Sequence, residues 1–437
     1  MEGGAPQSSS FGPAGALCGT ARVPGDKSIS HRALILSALA VGRSRIEGLS
    51  RGEDVAATAA AMRAMGAAIE TDEDGGVDVD GVGVGALLQP QAALDMGNSG
   101  TSARLLMGLV ATHPIQATFV GDASLSRRPM ERVAGPLRRT GAEFLASPGG
   151  TLPLTVRGLA PAAPLTTRLE VASAQVKSAL LLAGLNSPGV TRVIEPVATR
   201  DHSERMLKLF GADLRVAGEE IALRGEAELS PQQLVIPGDP SAAAFLAVAA
   251  SIVPGSDLRI EAVGINPHRI GLYTVLREMG AELAFENERE LCGEPVADLR
   301  VRHAALRGVD VPPELAPAMI DEYPIFFIAA AFAQGRSTAT GLGELRVKES
   351  DRLSAMAQGL AAIGARAEES ADGLVIHGSG GAPLAGGATV ATRLDHRIAM
   401  SFAIAGLHCR APVTLDDFAP VATSFPGFAD LLRSLSQ

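Results

Sequence analysis

The feature that most constrains this chain is a Gly-Ala pair that closes an amphipathic run and returns at a similar interval. It stands as Met65-Gly66-Ala67, Thr140-Gly141-Ala142, Phe210-Gly211-Ala212, Met279-Gly280-Ala281 and Ile363-Gly364-Ala365, roughly 70 to 85 residues apart. That interval is longer than the common solenoid units. Each run, such as Val55 to Met65 or Met206 to Phe210, ends where glycine supplies a left-handed helix cap. A strand-like run follows, such as Ala68 to Thr71 or Ala281 to Phe285. Ahead of each comes a second helix opened by a small polar loop. These loops are GDKSISHR (Gly25 to Arg32), GNSGTSAR (Gly97 to Arg104), ASAQVKSA (Ala172 to Ala179), GDPSAAAF (Gly238 to Phe245), MIDEYPIF (Met319 to Phe326) and RLDHRIAM (Arg393 to Met400). Six units of loop, helix, strand, helix and strand therefore fill the chain. Such alternation predicts an α/β protein with helix-covered sheets, divided three plus three near Pro237-Gly238-Asp239-Pro240. The stretch Thr71 to Gly85 reads as a hairpin, because it lacks the last glycine of a dinucleotide loop.

The densest charge lies in Arg346-Val-Lys-Glu-Ser-Asp-Arg352. If a helix begins at or before Lys348, then Lys348 and Arg352 share a face. Their repulsion calls for a negative group from elsewhere, with Glu349 as an acid beside it. A solvated helix face is the bland alternative. The net charge of -10 and the scarcity of aromatic residues, at 3 %, argue against a nucleic-acid surface. An anion site here has to be a local basic pocket set against the global charge. No apolar run is long enough for a membrane span. Residues 1–20, rich in Gly, Ser, Pro and Ala, read as a flexible tail without the marks of a signal peptide. Cys18, Cys292 and Cys409 show no paired spacing, which suits a reducing cytoplasm.

The loops supply the rest of the candidates. Lys27 and Ser28 precede a helix expected from about Ser30, where free backbone N–H groups favour phosphate, and Arg32 lies one turn on. Gly100 opens a helix expected from Ala103 and lets a ligand approach the backbone, although Asn98 or Ser99 as a simple cap is the alternative. Arg127 and Arg128 are read at the start of a helix, where a cation opposes the dipole. Ser173 and Gln175 stand at the mouth of the apolar helix Ser178 to Leu185. Asp321 reads as a base at the edge of an apolar segment, and Glu322 as a helix cap. Asp395-His396-Arg397 precedes the last apolar helix. His31, His202, His303 and His396 have no metal-ligand spacing.

Together the phrases GDKSISHR, GNSGTSARLLMG, GDASLSRRPM, ASAQVKSALLLAGLN, RDHSERM, IDEYPI, LRVKESDRL, DHRIAMSF and TSFPGF resemble the 5-enolpyruvylshikimate-3-phosphate synthases, most closely the bacterial branch associated with glyphosate tolerance. The resemblance runs from about Arg22 to Leu432. It implies two domains of three βαβαββ repeats each, an inside-out α/β barrel arrangement with the ligand cleft between them. One domain would span 26–238 and the other 21–25 plus 239–437. It also implies transfer of the enolpyruvyl group of phosphoenolpyruvate to the 5-hydroxyl of shikimate 3-phosphate, by a cytoplasmic monomer with no metal or organic cofactor. Lys27, Gly100, Arg128, Gln175, Arg352 and Arg397 would hold phosphoenolpyruvate. Lys27, Ser28, Arg32, Ser173, Ala174, Gln175, Arg200, Asp321 and Lys348 would hold shikimate 3-phosphate. Asp321, Glu349 and Lys27 would carry the proton transfers, and domain closure would exclude water. One departure is Thr423, where another branch has lysine. The alternatives are a UDP-N-acetylglucosamine enolpyruvyl transferase, disfavoured by the cysteine positions, and a non-catalytic anion-binding repeat protein.

Overall fold

The computed structural model describes residues 7–436. Five glycines of the recurring pair, Gly66, Gly141, Gly211, Gly280 and Gly364, have φ between 88° and 107°, a region that glycine enters without a Cβ penalty. Each turns a half-buried amphipathic helix into the outermost strand of a sheet. Those helices are Glu53–Ala64, Glu131–Leu137 with its 3-10 extension Arg138–Thr140, His202–Leu209, Gly271–Glu278 and Arg352–Ala362.

The chain divides into two compact units. The N-half unit comprises Gly25–Pro237 with Glu290–Glu294, and the C-half unit holds the remainder. In the N-half unit three four-stranded sheets repeat one plan, a parallel pair followed by an antiparallel hairpin. One sheet runs Leu94–Asp95, Gln116–Val120, Thr151–Arg157, Glu143–Ser147; another runs Thr166–Arg168, Val190–Ile194, Glu220–Arg224, Leu214–Ala217. The third closes a circle. Its parallel partner to Val41–Glu47 is Gln233–Val235, from the far end of the unit.

The C-half unit repeats the plan twice, on Asp257–Gly264 and on Arg336–Ala339. Its last repeat departs, because Val413–Leu415 is followed by the 3-10 turn Ala419–Thr423 and the helix Phe428–Leu435. The antiparallel neighbour there is Ser9–Phe11. The expectation of a flexible tail over 1–20 is therefore corrected for its described part; residues 1–6 lie outside the described residues. Cys18–Ala21 pairs in parallel with Asp257–Ile260, Leu17 is fully buried, and the Phe11 ring lies 5.1 Å from that of Phe418. Two short strands anchored by isolated apolar side chains leave too little periodicity to stand out among Gly, Ser and Pro.

Six helices are buried almost all round: Lys27–Leu39, Gly100–Ala111 and Ala174–Leu185 in the N-half unit, and Pro240–Ile252, Tyr323–Phe332 and His396–Gly406 in the C-half unit. They form the centre of each unit's hydrophobic core. The second and third pack so closely that a Cβ on Gly108 would sit 2.1 Å from the carbonyl oxygen of Ala179. Most start earlier than their apolar runs suggested. Asp26, Ser99, Ser173 and Asp395 cap them by accepting from Ile29, Ser102, Val176 and Arg397 N–H. Lys27, Ser28, Gly100, Ala174 and Gln175 thus occupy first helical turns, where backbone N–H groups have no intrahelical partner. Among the described residues no single helix is long and apolar enough to cross a membrane.

Candidate active site

In the N-half unit the starts of the three inner helices gather cations. Lys27 Nζ meets Asp54 Oδ2 at 2.9 Å. Arg32, one turn on, is almost fully buried, and its direct partners are neutral: Ser203 Oγ at 2.7 Å, Ser178 Oγ at 2.6 Å and the Ser28 carbonyl at 2.8 Å. Burial lowers its pKa to about 10, Glu204 and Asp26 only partly offset this, and Arg200 opposes it further. A buried cation beside a second cation, with only dipoles in contact, favours an anion. Buried Lys177 props the segment leading to Arg200 by pairing with Glu195 and Glu204, each at 2.8 Å.

The second and third helix starts are tied together. Gln175 accepts from Arg104 Nη1 at 2.8 Å and donates to Thr101 Oγ1 at 3.0 Å. Arg128 donates to Asn98 Oδ1 at 2.6 Å and Ser124 Oγ at 3.1 Å, and Asn98 in turn donates to Asp122 at 2.6 Å. A buried chain from His31 through Thr58 and Ser102 to Ser99, with links of 2.8, 2.6 and 2.6 Å, joins the first start to the second. Burial, then Lys27 and Arg32, push the pKa of His31 well below its ordinary value, so the ring is neutral.

In the C-half unit the charges interlock around Arg352, which is 1 % exposed over Asp395 at 0 %. Arg352 Nε reaches Asp395 Oδ2 at 2.8 Å, Nη2 reaches Glu349 at 2.6 Å, and Nη1 reaches Asp321 at 3.4 Å. Burial alone would depress this guanidinium, but Asp395, Glu349 and Asp321 raise its pKa above the ordinary value. Lys348 Nζ also meets Asp321 Oδ1, at 3.3 Å. Arg397 Nη1 donates to the Asp321 carbonyl at 2.8 Å.

A family model described as EPSP synthase (3-phosphoshikimate 1-carboxyvinyltransferase) matches residues 12–432. The chain belongs to the EPSP synthase family. A 3-phosphoshikimate 1-carboxyvinyltransferase of Sphingopyxis alaskensis is 66 % identical over 437 residues, 98 % of each chain. One from Novosphingobium aromaticivorans is 64 % identical, over 97 % of this chain and 98 % of the relative. The solved EPSP synthase of Acinetobacter baumannii superposes with a TM-score of 0.88 at 45 % identity, covering 98 % of each chain.

Within this EPSP synthase frame several sequence readings change. Lys348 and Arg352 do not share a helix, because Asp351 caps at Ser354 N–H and the helix starts at Arg352; Lys348 follows a 3-10 turn. Asp321 is the negative group they share. Arg127 and Arg128 do not begin an α-helix, which starts at Glu131. They close a 3-10 turn that exposes Arg127 and buries Arg128. Glu322 occupies the cap position of Tyr323–Phe332 but makes no capping bond. Sequence reasoning missed Arg104, although it ends the quoted GNSGTSAR phrase one turn after Gly100, and it missed Asp54, which lies on an outer helix. Thr423 donates to the Pro420 carbonyl at 2.7 Å within its own turn. Burial pushes the thiols of Cys292 and Cys409 up to about 11, opposite to what a reactive cysteine needs.

Proposed function

We propose that the chain transfers the enolpyruvyl group of phosphoenolpyruvate to the 5-hydroxyl of shikimate 3-phosphate and releases phosphate, the 3-phosphoshikimate 1-carboxyvinyltransferase reaction (EC 2.5.1.19). The observation that carries this is the pair Asp321 and Glu349 on one buried guanidinium: two carboxylates with a cation between them. Two phosphates and two carboxylates have to be brought together, so cations must offset their repulsion before reacting atoms can meet. Arg128, Arg352 and Arg397 suit phosphoenolpyruvate because a guanidinium fork pairs bidentately with such groups. Gly100 places no side chain between a ligand and the backbone, and Lys27 and Gln175 serve both substrates. Ser28, Arg32, Ser173, Ala174, Arg200, Lys348 and Asp321 serve shikimate 3-phosphate.

In this reading the 5-hydroxyl oxygen attacks C2 of phosphoenolpyruvate while Asp321 takes its proton. Glu349, aided by Lys27, delivers a proton to C3. The tetrahedral adduct then expels phosphate and returns a proton from the new methyl, restoring the vinyl group. The reading extends to a cytoplasmic monomer without a cofactor; the three free cysteines fit that compartment.

The test is phosphate release from phosphoenolpyruvate with and without shikimate 3-phosphate. Release should require both, and Glu349→Gln should lower it by about 100- to 10,000-fold. Release with UDP-N-acetylglucosamine in place of shikimate 3-phosphate, or no release with either acceptor from a folded protein, would overturn the assignment.

A second expected outcome concerns Gly100. A Cβ there would stand 3.0 Å from Arg104 Nη1 and 3.3 Å from Arg128 Nη1. The two guanidinium ends have to shift to admit the methyl, and Arg128 is one of the groups assigned to phosphoenolpyruvate. For glyphosate, a competitor at the phosphoenolpyruvate subsite, the inhibition constant of Gly100→Ala should rise. An unchanged constant would sink the idea.

A further inference from the structure

Five of the six inner helices are capped by a side chain, with Asp239 serving Pro240–Ile252, and Tyr323–Phe332 is the exception. Its cap-position residue, Glu322, is 2 % exposed and turns its carboxylate away from the helix start. Glu322 Oε1 instead accepts from Ser241 Oγ and, at 3.4 Å, from Arg397 Nη1. Ser241 is fixed in turn. Arg269 Nη2 donates to Ser241 Oγ at 2.8 Å and to Asp239 Oδ1 at 3.0 Å. A guanidinium can only donate, so the Ser241 oxygen accepts from Arg269 and its own proton points to Glu322. The direction of every bond from Arg269 to Glu322 is thereby set.

At the far end Arg397 Nη1 is drawn back into the protein by Glu322 and by the Asp321 carbonyl. Nε and Nη2 make no protein hydrogen bond among the described residues, which leaves that edge of the fork for an oxyanion. Glu322 Oε2 is buried without a hydrogen-bond partner. A buried carboxylate oxygen left unsatisfied lowers stability, so packing alone gives no reason for an acid at this position.

We propose that Glu322 is a positioning residue for Arg397, with the Arg269–Ser241–Glu322 chain aiming that guanidinium at an anionic substrate group. The inference rests on the assignment of Arg397 to phosphoenolpyruvate. It predicts a split between the two substrates: Glu322→Gln raises KM for phosphoenolpyruvate about tenfold, corresponding to about 1.4 kcal/mol, and leaves KM for shikimate 3-phosphate unchanged. Glu322→Met shows the same split with an unfolding temperature no lower than that of the parent chain. Ser241→Ala, which keeps every charge, moves KM for phosphoenolpyruvate in the same direction by less, and it decides the matter if Glu322 variants do not fold.

Phosphate release with each substrate varied reads all three. An unchanged KM for phosphoenolpyruvate in the Gln and Ala variants would overturn the positioning role alone. A lower unfolding temperature with equal losses towards both substrates would make Glu322 merely structural. A parent chain that releases no phosphate from the two substrates would instead remove the functional reading on which the proposal stands.

Discussion

Asp321→Asn is expected to lower kcat by about 100- to 10,000-fold in a chain that still folds and still binds phosphoenolpyruvate. The carboxylate lies where a turn meets the buried helix Tyr323–Phe332, and Lys348 Nζ and Arg352 Nη1 converge on it at 3.3 and 3.4 Å. Both cations donate to it, and in the proposed reaction it takes the proton of the attacking hydroxyl. The amide keeps the shape and a hydrogen-bond acceptor but loses the base. The decisive comparison is single-turnover phosphate release against steady-state KM. A small fall in kcat with a large rise in KM for shikimate 3-phosphate would make Asp321 a binding group only.

The largest effect on stability is expected at Asp395. Its carboxylate is wholly buried beneath Arg352, accepts from Ser350 Oγ at 3.0 Å, and caps the last inner helix through Arg397 N–H at 2.9 Å. Asp395→Ala removes the closest counter-charge of a buried guanidinium and a helix cap together. Breaking a buried pair costs about 3–5 kcal/mol, and losing the cap adds about 1 kcal/mol. Urea unfolding should show this as a lower midpoint.

Acid reports the same contact. Burial alone would raise the Asp395 carboxyl, but Arg352 outweighs it and holds the group below its usual value. A carboxyl lowered in the folded state contributes stability above its unfolded pKa, near 4, and that contribution is lost as pH falls through the folded value. The parent chain should therefore lose stability below about pH 4, and Asp395→Ala should show a flatter profile there. Equal midpoints and superimposable acid profiles would contradict the role given to this pair.

What the sequence revealed was local. The left-handed glycines and the apolar helices follow from short-range preference and periodicity, so the repeat could be read from Gly66, Gly141, Gly211, Gly280 and Gly364 alone. The need of Lys348 and Arg352 for a common anion was legible as a charge argument, even though the helix geometry behind it was wrong. Contacts made across long stretches of chain were not legible. Nothing near Arg352 in sequence points to Asp395, 43 positions on. Nothing near Glu322 points to Ser241, 81 positions back. Glu322 looked like an ordinary cap because acids at helix starts usually are, and only the neighbouring helix shows why this one is not. Strands of three or four residues, such as Ser9–Phe11, likewise lie below the length at which alternation is visible.

The pairing of Ser9 with Leu415 has a consequence for biosynthesis. A ribosome adding roughly 5–20 residues per second takes on the order of 20–80 seconds to travel from one partner to the other. In that interval Gly25–Pro237 has already emerged as a nearly complete unit and Cys18–Ala21 has met Asp257–Ile260, while Ser9–Phe11 still waits for its neighbour. A chain stalled before the final repeat would present that one strand to chaperones, and its pairing becomes a report on whether the last repeat has been made.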